Sequence, residues 1–296
     1  MKLTQNLLYK IKLALGKTLL VALFFLPQLS FAVEQQLDKE TTLFNQTFSW
    51  QVMMGISVYS GHSPLKGVKQ EDVVDYLSLS LMIDLYYKGF FIQSNHRRSV
   101  AITQGAEVGY QLHVDNDWAV DILAKTYISG YDPELLIEKK DENIPTLEGL
   151  KEREIGDAIA LRYSRFNDDA IFSIDFANLT YWSKANGWLI DVYYNEVFFY
   201  KNWDIYIGGG VTYYSNQVMD YYYGVKAEDV TDARSFYDPN TGYKGTFEVY
   251  AQYPISKKWS FSAGVTQTYY SNTIGKSPLI DRQNITQFLL GVIYVF

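Results

Sequence analysis

Segments of strand length in which every second residue is apolar recur along most of this chain. The clearest runs from Tyr76 to Tyr87, where Leu and Ile alternate with polar or aromatic residues. Successive side chains of a β-strand point to opposite faces, so this alternation gives each strand one continuous apolar face. About twelve such segments follow Trp50, or ten if Phe90–Ser94 does not pair as a strand. The pattern predicts an all-β fold built from amphipathic strands.

The last segment, residues 284–296, carries the strongest form of the pattern. Its alternate residues are all apolar: Phe288, Leu290, Val292, Tyr294 and Phe296. A terminal Phe after such residues resembles the signal that bacterial outer-membrane barrels present to the barrel-assembly machinery, and we expect these five residues to serve as that signal. The opposite face is also apolar, so periodicity alone leaves a buried strand of a soluble protein open.

Residues 1–32 have the features of a secretory signal peptide. Four lysines precede a short apolar core at residues 18–26, and Ser30-Phe31-Ala32 places small residues where a signal peptidase reads them. A membrane anchor is disfavoured because the apolar run is shorter than the roughly 20 residues that span a bilayer. We predict cleavage after Ala32, a periplasmic segment over residues 33–49 and one β-domain over residues 50–296.

Composition narrows the class of protein further. The chain has no Cys, which excludes disulfides and thiolate metal sites. Loss of the signal peptide takes the formal charge from -7 to about -11, and so acidic an exported chain is a poor candidate for binding nucleic acid. Aromatic residues make up 17% of the chain, yet no later segment is apolar for the length of a transmembrane helix. This combination is typical of a transmembrane β-barrel.

The connections between the predicted strands alternate between short and long. The five short ones carry Asn, Asp, Gly and Lys, the residues of tight hairpin turns, and an aromatic residue follows most of them: Phe90, Trp118, Trp203 and Trp259. Outer-membrane barrels have short periplasmic turns, longer outer loops and aromatic girdles. We therefore predict an antiparallel up-and-down barrel, integral to the outer membrane of a Gram-negative bacterium and in contact with its lipid and lipopolysaccharide.

Strand parity also predicts where individual side chains point. Glu196 falls on the lipid-facing side, which implies a position near the membrane edge or a β-bulge, and Ile128 falls on the same side of its own strand. Charged residues predicted to point inward are Asp84, Glu107, Asp121, Asp175, Asp191, Asp204, Glu248, Lys125, Arg162 and Lys244. The acidic excess favours cations if the lumen is open. Pairing of these charges and bulky inward Tyr residues instead favour a filled lumen.

Candidates for catalysis and metal binding are few. A lipid-acting Ser-His hydrolase needs a Ser activated by a His, but His62 and Ser63 are adjacent and a strand would point them apart. The other two His residues are His96 and His113, and no G-x-S-x-G motif is present. Two loops are acidic but lack the spacing of a calcium loop: Asp132, Glu134, Glu138, Asp141 and Glu142 in one, Glu228, Asp229, Asp232 and Asp238 in the other. We predict no enzyme activity, no cofactor and no metal site, with the hydrolase as the least favoured alternative.

Motifs in the second half of the chain point to one family. Residues 221–225 read Tyr-Tyr-Tyr-Gly-Val, Ala233-Arg234-Ser235 and Tyr237 follow, and Ser277-Pro278-Leu279-Ile280 precedes the last strand. Together they resemble the MipA/OmpV family (MltA-interacting protein) of outer-membrane proteins, over roughly residues 50–296. The first loop departs from the family outline, because it reads Gly61-His62-Ser63-Pro64 where an acidic, Tyr-bearing stretch is usual.

The resemblance implies an outer-membrane location and a non-catalytic role. In its best-known member that role is a scaffold between a murein lytic transglycosylase and a peptidoglycan synthase. A small-solute or cation channel is the alternative that the acidic lumen leaves open.

Overall fold

The computed structural model describes residues 48–61, 63–68, 77–94, 106–140, 143–179 and 183–296. The predicted signal peptide with its cleavage site at Ala32 lies outside these residues, as do positions 33–47 of the predicted periplasmic segment. His62, His96, Asp141 and Glu142 also lie outside them. Those predictions therefore remain predictions.

Twelve antiparallel strands form a closed barrel. Each strand pairs with its neighbours in sequence, and β1 pairs with β12 to close the sheet. The strands are β1 Ser49–Ser60, β2 Leu77–Tyr87, β3 Phe90–Gln93, β4 Glu107–Val114, β5 Trp118–Ile128, β6 Gly156–Asn167, β7 Ala170–Asn178, β8 Trp188–Tyr200, β9 Trp203–Tyr214, β10 Gly242–Pro254, β11 Trp259–Tyr270 and β12 Asn284–Val295. The predicted topology is confirmed, and β3 settles the count at twelve because it pairs with both β2 and β4.

Alternation along the strands gives the barrel an apolar outer face. On β2, Leu79 is 73% exposed and Leu81 53% exposed, whereas Met82 between the outward positions is buried. On β12, Phe288 and Leu290 point outward, and Leu289 is buried in the lumen. A wide band of exposed apolar side chains is unfavourable in water and is the surface that a bilayer core requires.

Two parity predictions have different outcomes. Glu196 does face outward, and its pairing with Ala170 beside the β6–β7 turn places it near the short-turn end without a shift in register. The hydroxyl of Tyr194 donates a hydrogen bond to its carboxylate at 2.9 Å. The outward prediction for Ile128 is wrong: the register of β5 against β6 shifts between Thr126 and Ile128, and this irregularity turns Ile128 into the interior.

The long connections fold into a structure of their own at the opposite end from the short turns. It contains helices α1 (Pro133–Lys140), α2 (Asn216–Tyr223) and α3 (Asn272–Gly275), and a 3-10 turn at Ala227–Asp229. Its apolar core is formed by Ile144, Leu147, Leu150, Val225 and Leu279. We call residues 63–68, 131–140, 143–153, 216–241 and 271–283 the loop cap. No helix in the described part of the chain is long and apolar enough to cross a membrane.

Buried Arg234 joins two segments of the loop cap. Its guanidinium donates to the carbonyl of Asp229 at 2.7 Å within its own loop. It also donates to the carbonyls of Thr146 at 2.9 Å and Glu148 at 3.3 Å in the β5–β6 connection. One side chain thus satisfies three backbone carbonyls. These carbonyls lie in loops, where no neighbouring strand can donate to them.

Glycine on β9 provides space for an aromatic side chain of β8. A Cβ atom at Gly210 would lie 2.5 Å from the carbonyl oxygen of Val192 and 3.0 Å from the ring of Tyr193. At Gly208 it would lie 2.6 Å from the Tyr193 hydroxyl. Both glycines face the lumen, so Tyr193 can lie flat across the inner wall.

We expect Gly210→Val to destabilise the barrel by about 1–3 kcal/mol, because the new side chain overpacks a wall whose backbone cannot retreat. The temperature at which the unboiled, folded gel band converts to the unfolded band measures this. Gly245→Val is the matched control, since a Cβ there meets nothing within 4 Å. Equal conversion temperatures for the two variants would contradict the packing argument.

Candidate functional site

Buried ion pairs in the lumen join both adjacent and non-adjacent strands between β4 and β8. Arg162 on β6 forms a bidentate pair with Glu107 on β4, with N–O distances of 2.5 and 2.9 Å. It forms a second bidentate pair with Asp175 on β7, at 2.7 and 2.9 Å. All three side chains are buried. Bidentate geometry of this kind is the strongest form of a carboxylate–guanidinium contact.

Lysine and hydroxyl groups extend these pairs to the neighbouring strands. Lys125 on β5 lies 3.0 Å from Asp175 and 3.7 Å from Asp191. The hydroxyls of Tyr127 and Thr212 donate to Asp175 and Asp191, at 2.7 and 2.8 Å. We call Glu107, Lys125, Arg162, Asp175 and Asp191 the ion network. Its two cations pair with three carboxylates, so most of its charge is compensated, as the filled-lumen alternative of the sequence analysis predicts.

Register explains why residues far apart in sequence meet here. Asp121, Arg162, Asp175 and Asp191 occupy directly paired positions on β5 to β8. Strand parity predicts that each of these side chains points into the lumen. Only the register between the strands shows that they lie at the same height in the barrel. Within the described residues, Oδ1 of Asp121 is buried without a hydrogen-bond partner, so this carboxylate is the least satisfied acid in the row.

Aromatic and apolar side chains fill the remaining wall. The Tyr193 side chain lies over the two glycines of β9. Its hydroxyl donates a hydrogen bond to Glu248 on β10. Tyr206 and Tyr250 stack with ring centroids 4.5 Å apart. Near the β1–β12 seam, four buried residues form an apolar cluster: Met53, Met82, Leu289 and Ile293. Sequence parity identified the inward Tyr residues, whereas it did not identify this cluster or the space that Gly208 and Gly210 provide.

A cavity of about 600 Å³ remains in the lumen beneath the loop cap. Its wall includes Lys244 and Thr246 of β10, and its roof includes Leu65, Tyr222 and Ile280. Within the described part of the chain, Lys244 makes no ion pair, unlike Lys125 and Arg162. Burial raises the pKa of Tyr222 to about 12, so its phenol is a neutral donor, and it bonds to the carbonyl of Glu154 at 2.9 Å.

The residues considered for catalysis and metal binding have structural contacts. His113 stacks on Trp118 with ring centroids 4.0 Å apart, and its Nε2 lies 3.3 Å from the carboxylate of Asp115. Asp132 accepts hydrogen bonds from the first amides of α1, and Asp229 lies 4.0 Å from Arg153. Among the described residues, no group of three or more His, Asp or Glu side chains is placed to hold a metal ion.

The predicted assembly residues lie on the outer face of β12 and beyond its end. Tyr294 packs against Trp259 and Phe296, with ring centroids 4.9 and 5.0 Å apart. The amide of Phe296 donates to the carbonyl of Val52 on β1 at 3.1 Å. This bond and the pairing of β12 with β1 place the residues on the strand that closes the barrel. Their recognition by the assembly machinery remains a prediction.

The closed barrel, its apolar outer face and its polar interior define a transmembrane barrel of the outer-membrane type. The chain belongs to the family described as MltA-interacting protein MipA, whose family model matches residues 54–296. The predicted family and the outer-membrane location are thereby confirmed.

Several known proteins are similar to this chain. A "24 kDa outer membrane protein" of Pasteurella multocida (strain Pm70) is 25% identical over 249 residues, 82% of this chain and 90% of that protein. The "MltA-interacting protein" of Escherichia coli (strain K12) is 25% identical over 179 residues, 60% of this chain and 71% of that protein. A loop L8 deletion mutant of OmpT, an outer membrane protein of Vibrio cholerae, superposes with a TM-score of 0.38 at 8% identity, over 84% of this chain and 99% of that chain.

We expect Arg162→Met to lower the free energy of unfolding by about 3–5 kcal/mol, because it leaves buried Glu107 without its guanidinium partner and Asp175 with Lys125 alone. Chemical unfolding in detergent micelles, followed by Trp fluorescence, measures the loss. Lys184→Met is the control: Lys184 is 72% exposed and pairs with Glu154 at 2.6 Å, and such solvent-exposed pairs contribute little to stability.

Adding Glu107→Gln and Asp175→Asn to Arg162→Met should restore part of the stability, because the uncompensated charges are removed. A triple variant as unstable as the sum of its single variants would show that the loss comes from packing and not from charge.

Proposed function

We propose that this outer-membrane barrel is a non-conducting, non-enzymatic scaffold of the cell envelope. The observation that carries the proposal is the filled lumen, in which the ion network joins β4 to β8 across the interior and the loop cap covers the cavity above it. A barrel filled in this way is suited to presenting its turns and loops to other proteins rather than to passing solutes.

The partners that we propose are a murein lytic transglycosylase and a peptidoglycan synthase. The support is membership of the MipA family and the name of the Escherichia coli relative, which is an MltA-interacting protein. Such enzymes work on the periplasmic side, so the contact surface would be the short turns, since outer-membrane barrels place these turns in the periplasm.

The lumen proposal predicts that the purified barrel in planar lipid bilayers produces no steady, salt-dependent current steps, because the ion network and the aromatic side chains of the wall narrow the lumen. An open porin reconstituted in parallel shows that the bilayer reports channels. Regular steps from the folded wild-type protein would overturn the non-conducting part of the proposal.

The partner proposal predicts a side-specific cross-link in intact cells. A photo-reactive amino acid at Asn116 or Asn202, in two short turns, should give an adduct that an antibody against a murein transglycosylase recognises. The same group at Asp238, in the loop cap, is the control and should give none. Absence of the adduct from both short-turn positions would contradict the partner assignment.

A small-solute or cation channel is the second candidate. It is favoured by the cavity beneath the loop cap, whose size is typical of sites for small molecules and whose wall carries Lys244. Steady current steps from the folded barrel that a small solute blocks would support this candidate against the scaffold.

A further inference from the structure

Charge is divided unevenly around the short-turn end of the barrel. Three turns carry the exposed lysines Lys88, Lys201, Lys257 and Lys258, which we call the basic arc. The other two turns carry the exposed acids Asp115, Asp117, Asp168 and Asp169, which we call the acidic arc. The acidic turns, β4–β5 and β6–β7, are neighbours in the closed sheet. The three basic turns occupy the rest of the rim, and the β12–β1 seam lies between two of them, β10–β11 and β2–β3.

Three lysines of the basic arc lie over tyrosine rings on the outer face of the barrel. Lys88 lies 5.3 Å from the ring centre of Tyr87 and Lys201 lies 5.3 Å from that of Tyr200. Lys258 lies 5.7 Å from the ring centre of Tyr294. These cation–π contacts hold the ammonium groups beside outward-facing rings that settle at the membrane–water interface. The positive charges are thus held at the height of lipid headgroups and on the lipid side of the wall.

Turn geometry alone does not explain two of these lysines. Lys88 and Lys201 have φ angles of 48° and 55°, in the left-handed region. Gly, Asn and Asp adopt this conformation at lower cost than Lys, and the acidic arc shows that Asp and Asn are used in turns of this barrel. A role for the charge accounts for Lys at both positions.

The acidic arc has no comparable feature. Hydrogen bonds from the amides of Asp117 and Trp118 hold the pKa of Asp115 below its ordinary value, so this carboxylate is ionised at neutral pH. Arg165 and Glu196 lie on the strands beside these turns, and their opposite charges cancel in the net charge of this side of the rim. The arc therefore repels phosphate.

We propose that the basic arc binds the phosphate groups of anionic phospholipids in the periplasmic leaflet, and that the acidic arc keeps its side of the barrel poor in these lipids. Each site consists of a lysine ammonium above a tyrosine ring, repeated three times around half of the rim. The inference concerns the lipid around the barrel and does not depend on the scaffold function.

Native tryptophans at matched heights can report the two arcs. Trp203 follows the basic β8–β9 turn and Trp118 follows the acidic β4–β5 turn. One variant keeps Trp203 and a second keeps Trp118, with every other Trp replaced by Phe. Each is placed in phosphatidylcholine vesicles that contain a small fraction of either phosphatidylglycerol or phosphatidylcholine with brominated chains, which quench nearby indoles.

Quenching by the brominated phosphatidylglycerol, relative to brominated phosphatidylcholine, should be at least about two-fold stronger at Trp203, given the attraction of each lysine to anionic lipid. At Trp118 the ratio should be at or below one. Lys88→Gln, Lys201→Gln, Lys257→Gln and Lys258→Gln together should lower the Trp203 ratio to the Trp118 value. Replacing Lys151, Lys184, Lys226 and Lys276 of the long-loop side by Gln is the charge-matched control and should leave it unchanged.

Salt provides a second measurement that needs no lysine substitution. Raising the ionic strength to about 1 M should bring the Trp203 ratio close to one, because it shortens the screening length to about 3 Å. Equal ratios at Trp203 and Trp118, or a Trp203 ratio unaffected by the four arc substitutions in a barrel that still shows a folded gel band, would overturn the proposal.

Discussion

Backbone hydrogen bonding in a solvent without water is the constraint on which this structure depends. In a bilayer core an unpaired amide or carbonyl costs several kcal/mol, so a sheet can span it only if no strand is left at an edge. Pairing of β1 with β12 removes that edge. Closure then divides every strand into a lipid side and an enclosed side, and the alternation of apolar and polar residues follows from this division.

Closure also encloses charged side chains, and their charge must be compensated where bulk water is absent. The barrel does so by pairing across several strands: Arg162 reaches carboxylates on β4 and β7, and Lys125 reaches those on β7 and β8. A buried ion pair adds little stability relative to a well-packed apolar core, but a broken one is costly. Such a network therefore favours one register over its alternatives, since a shift of one residue would direct these charges into lipid.

The alternation of apolar and polar residues along the strands accounts for what could be predicted from the sequence. It indicated the barrel, the strand number, the aromatic girdle and the inward charges, because each depends only on parity and turn chemistry. It failed at Ile128, where a register irregularity changes the parity without a mark in the sequence. It could not reveal the contact between Arg162 and Glu107, because that contact depends on the register of two consecutive strand pairs. It also could not reveal the apolar core of the loop cap, which has no periodicity.

The loop cap has a consequence for the order of assembly. Its core residues, such as Leu147 and Leu279, and the internal bonds of Arg234 lie beyond the long-loop ends of the strands. If those ends face the cell exterior, the segments must cross the membrane before they can pack, and they must cross extended because a folded cap is wider than a hairpin. Packing of the cap is then a late, separate step of maturation, and the finished cap resists withdrawal of the hairpins through the bilayer.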